Sequence, residues 1–425
     1  MATTRRRRWA GTSAVGGSRM EQSLTATRGW TASRVIAFGF LATFMSSFGQ
    51  TFFLGLFNPY FQQAVGIGGA RLGLLYGAAT LVSGMLLFWL GGALDRISLP
   101  RATSITIALF VTGCLLAGTT TTQIQLLAAF FLLRLGGQGL LTHLAIVAAA
   151  RAGGERKGST IAWASMGVIL GEAVLPAAVV AAFALLQWRW MWGGTAALLA
   201  VVVLPALLLL GRELPWRAVS QEPEAASAAG SIEQRRVLLR RPAYWAASSL
   251  LLAPPFMATA FLFEQATFAR QMHWEPGLIG AAFAVFALCR GLGTWGYGRA
   301  ADRFGVVSML RMHLLPMALA FASLSVPLGQ ASIWVAFAGV GFTNGANSVL
   351  GGAVWVELFG VASVGLVRGV FTACMVVASA MAPAVVASLL SMDVSAVDIG
   401  LAFAAYSAIT PLLVGPVLHG RRRDR

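Results

Sequence analysis

Apolar runs of about twenty residues, separated by short polar or basic stretches, fill almost the whole chain. Twelve can be marked, at 35–57, 73–94, 102–119, 124–149, 159–186, 190–210, 244–268, 278–298, 309–328, 333–356, 366–390 and 399–418. A helix needs roughly 20 residues to cross a hydrocarbon core of about 30 Å. Barrel strands are half as long and alternate in polarity, and open sheet edges are not tolerated in lipid. These runs are apolar on every face, so they predict twelve transmembrane helices.

Composition agrees. Of the 425 residues, 57% are hydrophobic and 11% charged, and the mean hydropathy is +0.75. A soluble domain carries about 25% charged residues, so a water-soluble globule is excluded. The three cysteines, Cys114, Cys289 and Cys374, stand singly inside apolar runs without metal or redox spacing. Residues 1–33 lack periodicity and read as a disordered cytoplasmic arm. The run Arg5–Arg8 has no apolar stretch behind it, so it is no cleavable signal peptide, and Met1 and Met20 both remain candidate starts.

The net charge of +16 comes from 31 Lys+Arg against 15 Asp+Glu. With the arm, the even-to-odd loops and the tail on one side, the opposite side holds only Arg71, Arg189 and Arg270. Arg134 and Arg290 fall inside runs. Basic residues stay on the cytoplasmic side, so both termini are expected there. No basic face is interleaved with aromatics, which argues against nucleic acid as a partner.

The chain repeats itself at an offset of 207. Gly91, Asp95 and Arg96 fall on Gly298, Asp302 and Arg303, Pro176 on Pro383, and Gly158 on Gly365. The expected fold class is therefore an all-α membrane protein of two pseudo-symmetric six-helix bundles, 34–210 and 244–418. They are joined by a cytoplasmic linker at 211–243 and followed by a basic cytoplasmic tail at 419–425. Bundles repeated in the same orientation hold a solute near mid-membrane and alternate access by rocking.

The stretch Gly91-Gly-Ala-Leu-Asp95-Arg96-Ile-Ser-Leu-Pro-Arg101 resembles the loop signature of the major facilitator superfamily, with Ser98 where Gly is usual. The second copy, Gly298 to Gly305, keeps Gly305 and lacks the trailing basic pair. Arg134-Leu-Gly-Gly-Gln138-Gly139 resembles the R-x2-Q-G signature with one extra residue. In the fifth run, Gly167-Val-Ile-Leu-Gly171-Glu172 has Glu where the antiporter signature has Pro, which counts against a drug/proton antiporter. In general tone the chain is similar to bacterial members near the monocarboxylate and oxalate/formate branch. The resemblance implies a multi-pass protein of the bacterial inner membrane. Gly91, Asp95, Arg96 and Arg101, with Gly298, Asp302 and Arg303, are expected to latch one conformation through contacts between Asp, Arg and helix ends.

Charged groups inside membrane spans are costly and mark function by default. Arg134 and Arg290 lie near mid-bilayer, with Glu172 as a proton-titrating carboxylate and Glu264 towards the outer end of the seventh run. The fold does not require these charges, since the repeat places Gly341, Ser83, Ser379 and Phe57 at the equivalent positions. A structural pair such as Arg134 with Glu172 is the plain alternative. Gln50, Asn58, Gln138, His143, Gln265, Asn344 and Asn347 sit in the first, fourth, seventh and tenth runs, which the resemblance places around the central cavity. The sequence Gly291-Leu-Gly293-Thr-Trp-Gly296 spells a dinucleotide fingerprint but follows no strand.

The expectation is a secondary transporter moving a small solute, an organic anion on the strength of its arginines, with a proton or other coupling ion and as a monomer. No enzyme activity, cofactor or metal site is expected. Efflux by proton antiport and a non-transporting membrane sensor are the alternatives.

Overall fold

In a computed structural model of the chain, residues 33–152, 157–212, 214, 216, 232–360 and 363–419 are described. The arm, much of the linker and the tail lie outside them. Among the described residues, eleven helices have the length and apolarity to cross a membrane. They are α1 (Ser33–Gly55), α2 (Gly69–Leu94), α3 (Leu99–Thr119), α4 (Gln123–Ala152), α5 (Gly158–Phe183), α6 (Trp188–Gly211), α7 (Pro242–Phe263), α8 (Pro276–Phe304), α9 (Val306–Ser325), α11 (Val364–Ser391) and α12 (Ala396–Leu418). The remaining long helix, α10 (Ala331–Phe359), has 29 residues, and Thr343, Asn344, Asn347 and Ser348 dilute its apolar character. No strand occurs among the described residues, and the all-helical expectation holds.

Large apolar side chains point outward: Leu185 is 85% exposed, Trp190 72% and Leu412 72%. Such a surface is stable against hydrocarbon and unstable against water. The core behind it is aromatic. Trp192 stands 4.9 Å from Phe57 and 5.8 Å from Phe53, and Phe261 contacts Phe268, Phe321 and Phe337.

We call the side carrying Asp95–Ser98 the near face and its opposite the far face. Helices 1–6 meet helices 7–12 along α2–α11, α5–α8 and α1–α7. Contact is closest towards the far face, where Gly73 and Gly77 of α2 abut the backbone of Pro383 and Ala380, and Gly280 of α8 abuts Ala177 of α5. Small residues let helix backbones approach in lipid, where apolar burial supplies little net attraction. Gly73 and Gly280 are equivalents at the offset of 207, so the repeat is built into the seam. Towards the near face α8 is uncovered at two glycines. A Cβ on Gly291 or Gly298 would meet nothing within 4 Å, although Gly84, the equivalent of Gly291, packs on Val376.

The two loop signatures differ in backbone. Gly305 turns α8 into α9 at φ 86°, ψ 145°, a region that L side chains avoid. Its equivalent Ser98 sits at φ −65°, ψ 145°, where any residue fits. That accounts for a serine in place of the usual glycine.

Candidate functional site

The first span is broken. A 3₁₀ turn, Ser47–Gly49, ends at Gln50 with φ −82° and ψ 154°, and the helix restarts at Thr51. Beside it, α4 widens into a π-helix over Leu133–Leu141, the stretch that contains Arg134, Gly136, Gly137 and Gly139. π-segments within α-helices gather at functional sites. The two irregular stretches touch without side chains between them. A Cβ on Gly49 would lie 3.0 Å from Gly137 Cα and from Gln138 N.

Arg134 fills the gap this break leaves. Its Nη1 donates to Gly49 O at 3.4 Å and to Thr51 Oγ1 at 3.3 Å, and its guanidinium carbon lies 5.3 Å from the Tyr76 ring centroid. Thr51 Oγ1 is 2.7 Å from Tyr76 Oη. The side chain is 6% exposed and Arg134 Nε has no partner. Among the described residues no carboxylate lies within ion-pairing distance of it. A buried cation held only by neutral groups is poorly compensated.

Glu172 pairs with Arg290, not with Arg134 as the plain alternative had it. The pair spans the seam from α5 to α8, and Glu172 Oε2 has no partner. Gly171 places α5 directly on Ser47, whose buried Oγ is also unpartnered. Both ionic features therefore flank one stretch of α1, Ser47–Thr51. Among the described residues this region carries two arginines, Arg134 and Arg290, and one acid, Glu172.

The other candidates separate into groups. Asn58, Glu264 and Gln265 are buried at the far seam, at 3%, 2% and 1% exposure. Asn58 Nδ2 donates to Phe263 O at 2.6 Å, Gln265 Nε2 donates to Phe52 O at 2.9 Å, and Glu264 Oε2 accepts from Thr267 Oγ1 at 3.0 Å. Gln138 lies in the π-segment with its Oε1 unpartnered. Asn344 donates to Val340 O in its own helix, and Asn347 Oδ1 is unpartnered. His143 belongs to the near-face turn, 3.5 Å from Asp95 Oδ1, with Arg151 at 3.4 Å from the same oxygen.

That turn shows how the first loop signature is wired. Asp95 ties the end of α2 to α4 of its own half, while Arg96 and Arg101 are exposed. In the second copy Asp302 and Arg303 lie on the last turn of α8, exposed, with Arg303 over the Phe304 ring. Glu357 Oε2 accepts from Val306 N at the start of α9. Sequence reasoning missed Thr51, Tyr76 and Arg151. Tyr76 carried a signal, being one of five tyrosines and lying inside a span; Arg151 read as a loop charge.

The fold has relatives among solved structures. A variant of the nucleoside transporter NupG superimposes with a TM-score of 0.71 at 15% identity, covering 91% of this chain and 99% of that one. A bacterial homologue of the human lysosomal transporter Spinster, inward-facing and unoccupied, gives 0.68 at 16%, covering 93% and 98%. A POT family transporter in complex with a thioalcohol-conjugated peptide gives 0.66 at 13%, covering 92% and 97%. No curated relative matches the sequence. The Major Facilitator Superfamily matches residues 39–383. With a twelve-helix architecture, a repeated seam and a family match over most of its length, this chain belongs to the Major Facilitator Superfamily of membrane transporters.

Proposed function

We propose that the protein is a secondary transporter of a small organic anion, working by alternating access between its two halves. The observation that carries the reading is the inequality of the two arginines. Arg290 is neutralised by Glu172, whereas Arg134 is buried without an acid beside the broken stretch of α1. One uncompensated cation suits one carboxylate, bound as a bidentate pair that a guanidinium favours. Glu172 is the coupling group: its protonation removes the charge that holds Arg290 and lets the seam part. In this reading the near face, which carries the basic loops, is the cytoplasmic one, in line with the positive-inside rule. With the far seam packed and α8 uncovered at two glycines towards the near face, this conformation then opens inward.

Uptake of small monocarboxylates into proteoliposomes tests the reading. Arg134→Ala is expected to lower uptake at least tenfold and to abolish stabilisation of the purified protein by the solute, which binds the folded state by mass action. Uptake by Arg134→Ala equal to that of the parent overturns it.

A further inference from the structure

Asn58 and Gln265 are 207 residues apart, so they occupy the same position in the two copies of the repeat. Each stands at the restart of an interrupted helix. Asn58 opens the helix Asn58–Val65 after α1 ends at Gly55, and Gln265 opens Gln265–Gln271 after α7 ends at Phe263. Each reaches across to the opposite half and donates its amide to a main-chain carbonyl there.

Those carbonyls are available because the helices break. In a continuous helix Phe52 O would accept from Leu56 N, which instead donates to Phe53 O at 3.2 Å. Phe263 O would accept from Thr267 N, which instead donates to Glu264 O at 2.8 Å. Each half thus releases one carbonyl at the far seam and receives a donor from the other. The symmetry is complete for the donors and one turn off for an acceptor, since the strict equivalent of Phe263 is Leu56. Gly55 admits the exchange. Its nearest neighbour across the seam is Leu262, its own repeat equivalent, and a Cβ on it would stand 2.9 Å from Gln265 Nε2 and 3.0 Å from Phe263 O.

We propose that Asn58 and Gln265 are the far-face gate of the transport cycle, a reciprocal amide clasp that holds α1 and α7 together in the far-closed state and must open for solute to exchange on that face. Both residues were read from the sequence as cavity lining; their donors are spent on the seam. When the halves part, water replaces each amide at the freed carbonyl. When they close without the amide, a buried carbonyl is left unmet, which is costly in lipid. The clasp rests on the alternating-access reading but on no particular solute.

The test reads conformation without substrate. Spin labels on Gly68→Cys and Gly277→Cys, far-face positions with open space around them, report the separation of the halves in nanodiscs. Cys289 and Cys374 are removed first, and buried Cys114 stays. Asn58→Leu and Gln265→Met, singly, are each expected to raise the far-open to far-closed ratio about tenfold, the effect of leaving one buried acceptor unpaired. The double variant is expected to raise it further. A near-face label pair is expected to draw together as the far pair separates, which a loosened or unfolded protein would not show. If the double variant does not fold, the single variants decide. Unchanged far-face distances in folded Asn58→Leu and Gln265→Met overturn the clasp, even where Arg134→Ala still abolishes uptake.

Discussion

Glu172 on α5 and Arg290 on α8 form an ion pair that bridges the two halves of the molecule. Their repeat equivalents, Ser379 on α11 and Ser83 on α2, carry no charge. The same helix crossing is therefore built once with charges and once without them, and the pair is an addition to the fold.

Removing one member of this pair is expected to cost more than removing both. Arg290→Ala strands a carboxylate in the seam and should lower stability by about 3 kcal/mol, while Glu172→Gln combined with Arg290→Met should lie near the parent. Thermal unfolding in detergent measures this. Uptake should be lost in both, since neither retains a coupling carboxylate facing a cation. A double variant that transports normally removes Glu172 from the mechanism.

Arg134→Lys is expected to behave more like Arg134→Ala than like the parent. A lysine supplies a point charge but not the planar fork that can hold Gly49 O, Thr51 and a carboxylate together. Solute affinity, read by calorimetry, should fall at least tenfold for both. Full affinity in the lysine variant would place the solute elsewhere.

Gly55→Val should act as a wedge. Its side chain would enter the space held by Leu262 O, Phe263 O and the Gln265 amide. Overpacking of this kind costs about 1–3 kcal/mol, charged to the far-closed state alone. The distance between spin labels on Gly68→Cys and Gly277→Cys should shift towards the far-open state. Unaltered distances in a folded variant contradict the packing.

The turn glycines give a paired comparison. Gly305→Ala forces a side chain into φ 86° and should destabilise by about 1–3 kcal/mol. Ser98→Gly, at an ordinary φ, should cost less than about 1 kcal/mol. Equal shifts in Tm for the two would mean that the second loop signature relaxes around its new side chain.

Asp95→Asn loses ionic contacts to Arg151 and His143, both within one half and partly exposed. The expected result is a stability loss of about 1 kcal/mol or less that shrinks further in high salt. Far-face distances should not move, because the contact does not cross the seam. A far-face shift would support the latch that the loop signature suggests.

The spans and their repeat were legible because a bilayer demands long apolar helices and two-fold repetition leaves matched glycines and prolines. The interruptions were not. The run at 35–57 reads as one helix, yet it breaks at Gln50 and again beyond Gly55; no proline marks the first break, and Pro59, in the first turn after the second, lies just beyond the run. Arg134 announced itself as a charge in lipid. Its partners, Thr51 and Tyr76, are ordinary residues made relevant by tertiary contact. The pairing of Glu172 depended on which helices meet across the seam, which spacing along the chain does not encode.

The uncharged twin of the ion pair has a dynamic consequence. Van der Waals attraction along α2–α11 vanishes within an ångström or so of separation, whereas Coulomb attraction between Glu172 and Arg290 decays only with inverse distance. Under the proposed alternating access, the α2–α11 flank therefore lets go early and the ionic flank yields late, so that the halves swing about the α5–α8 edge in place of an even spreading.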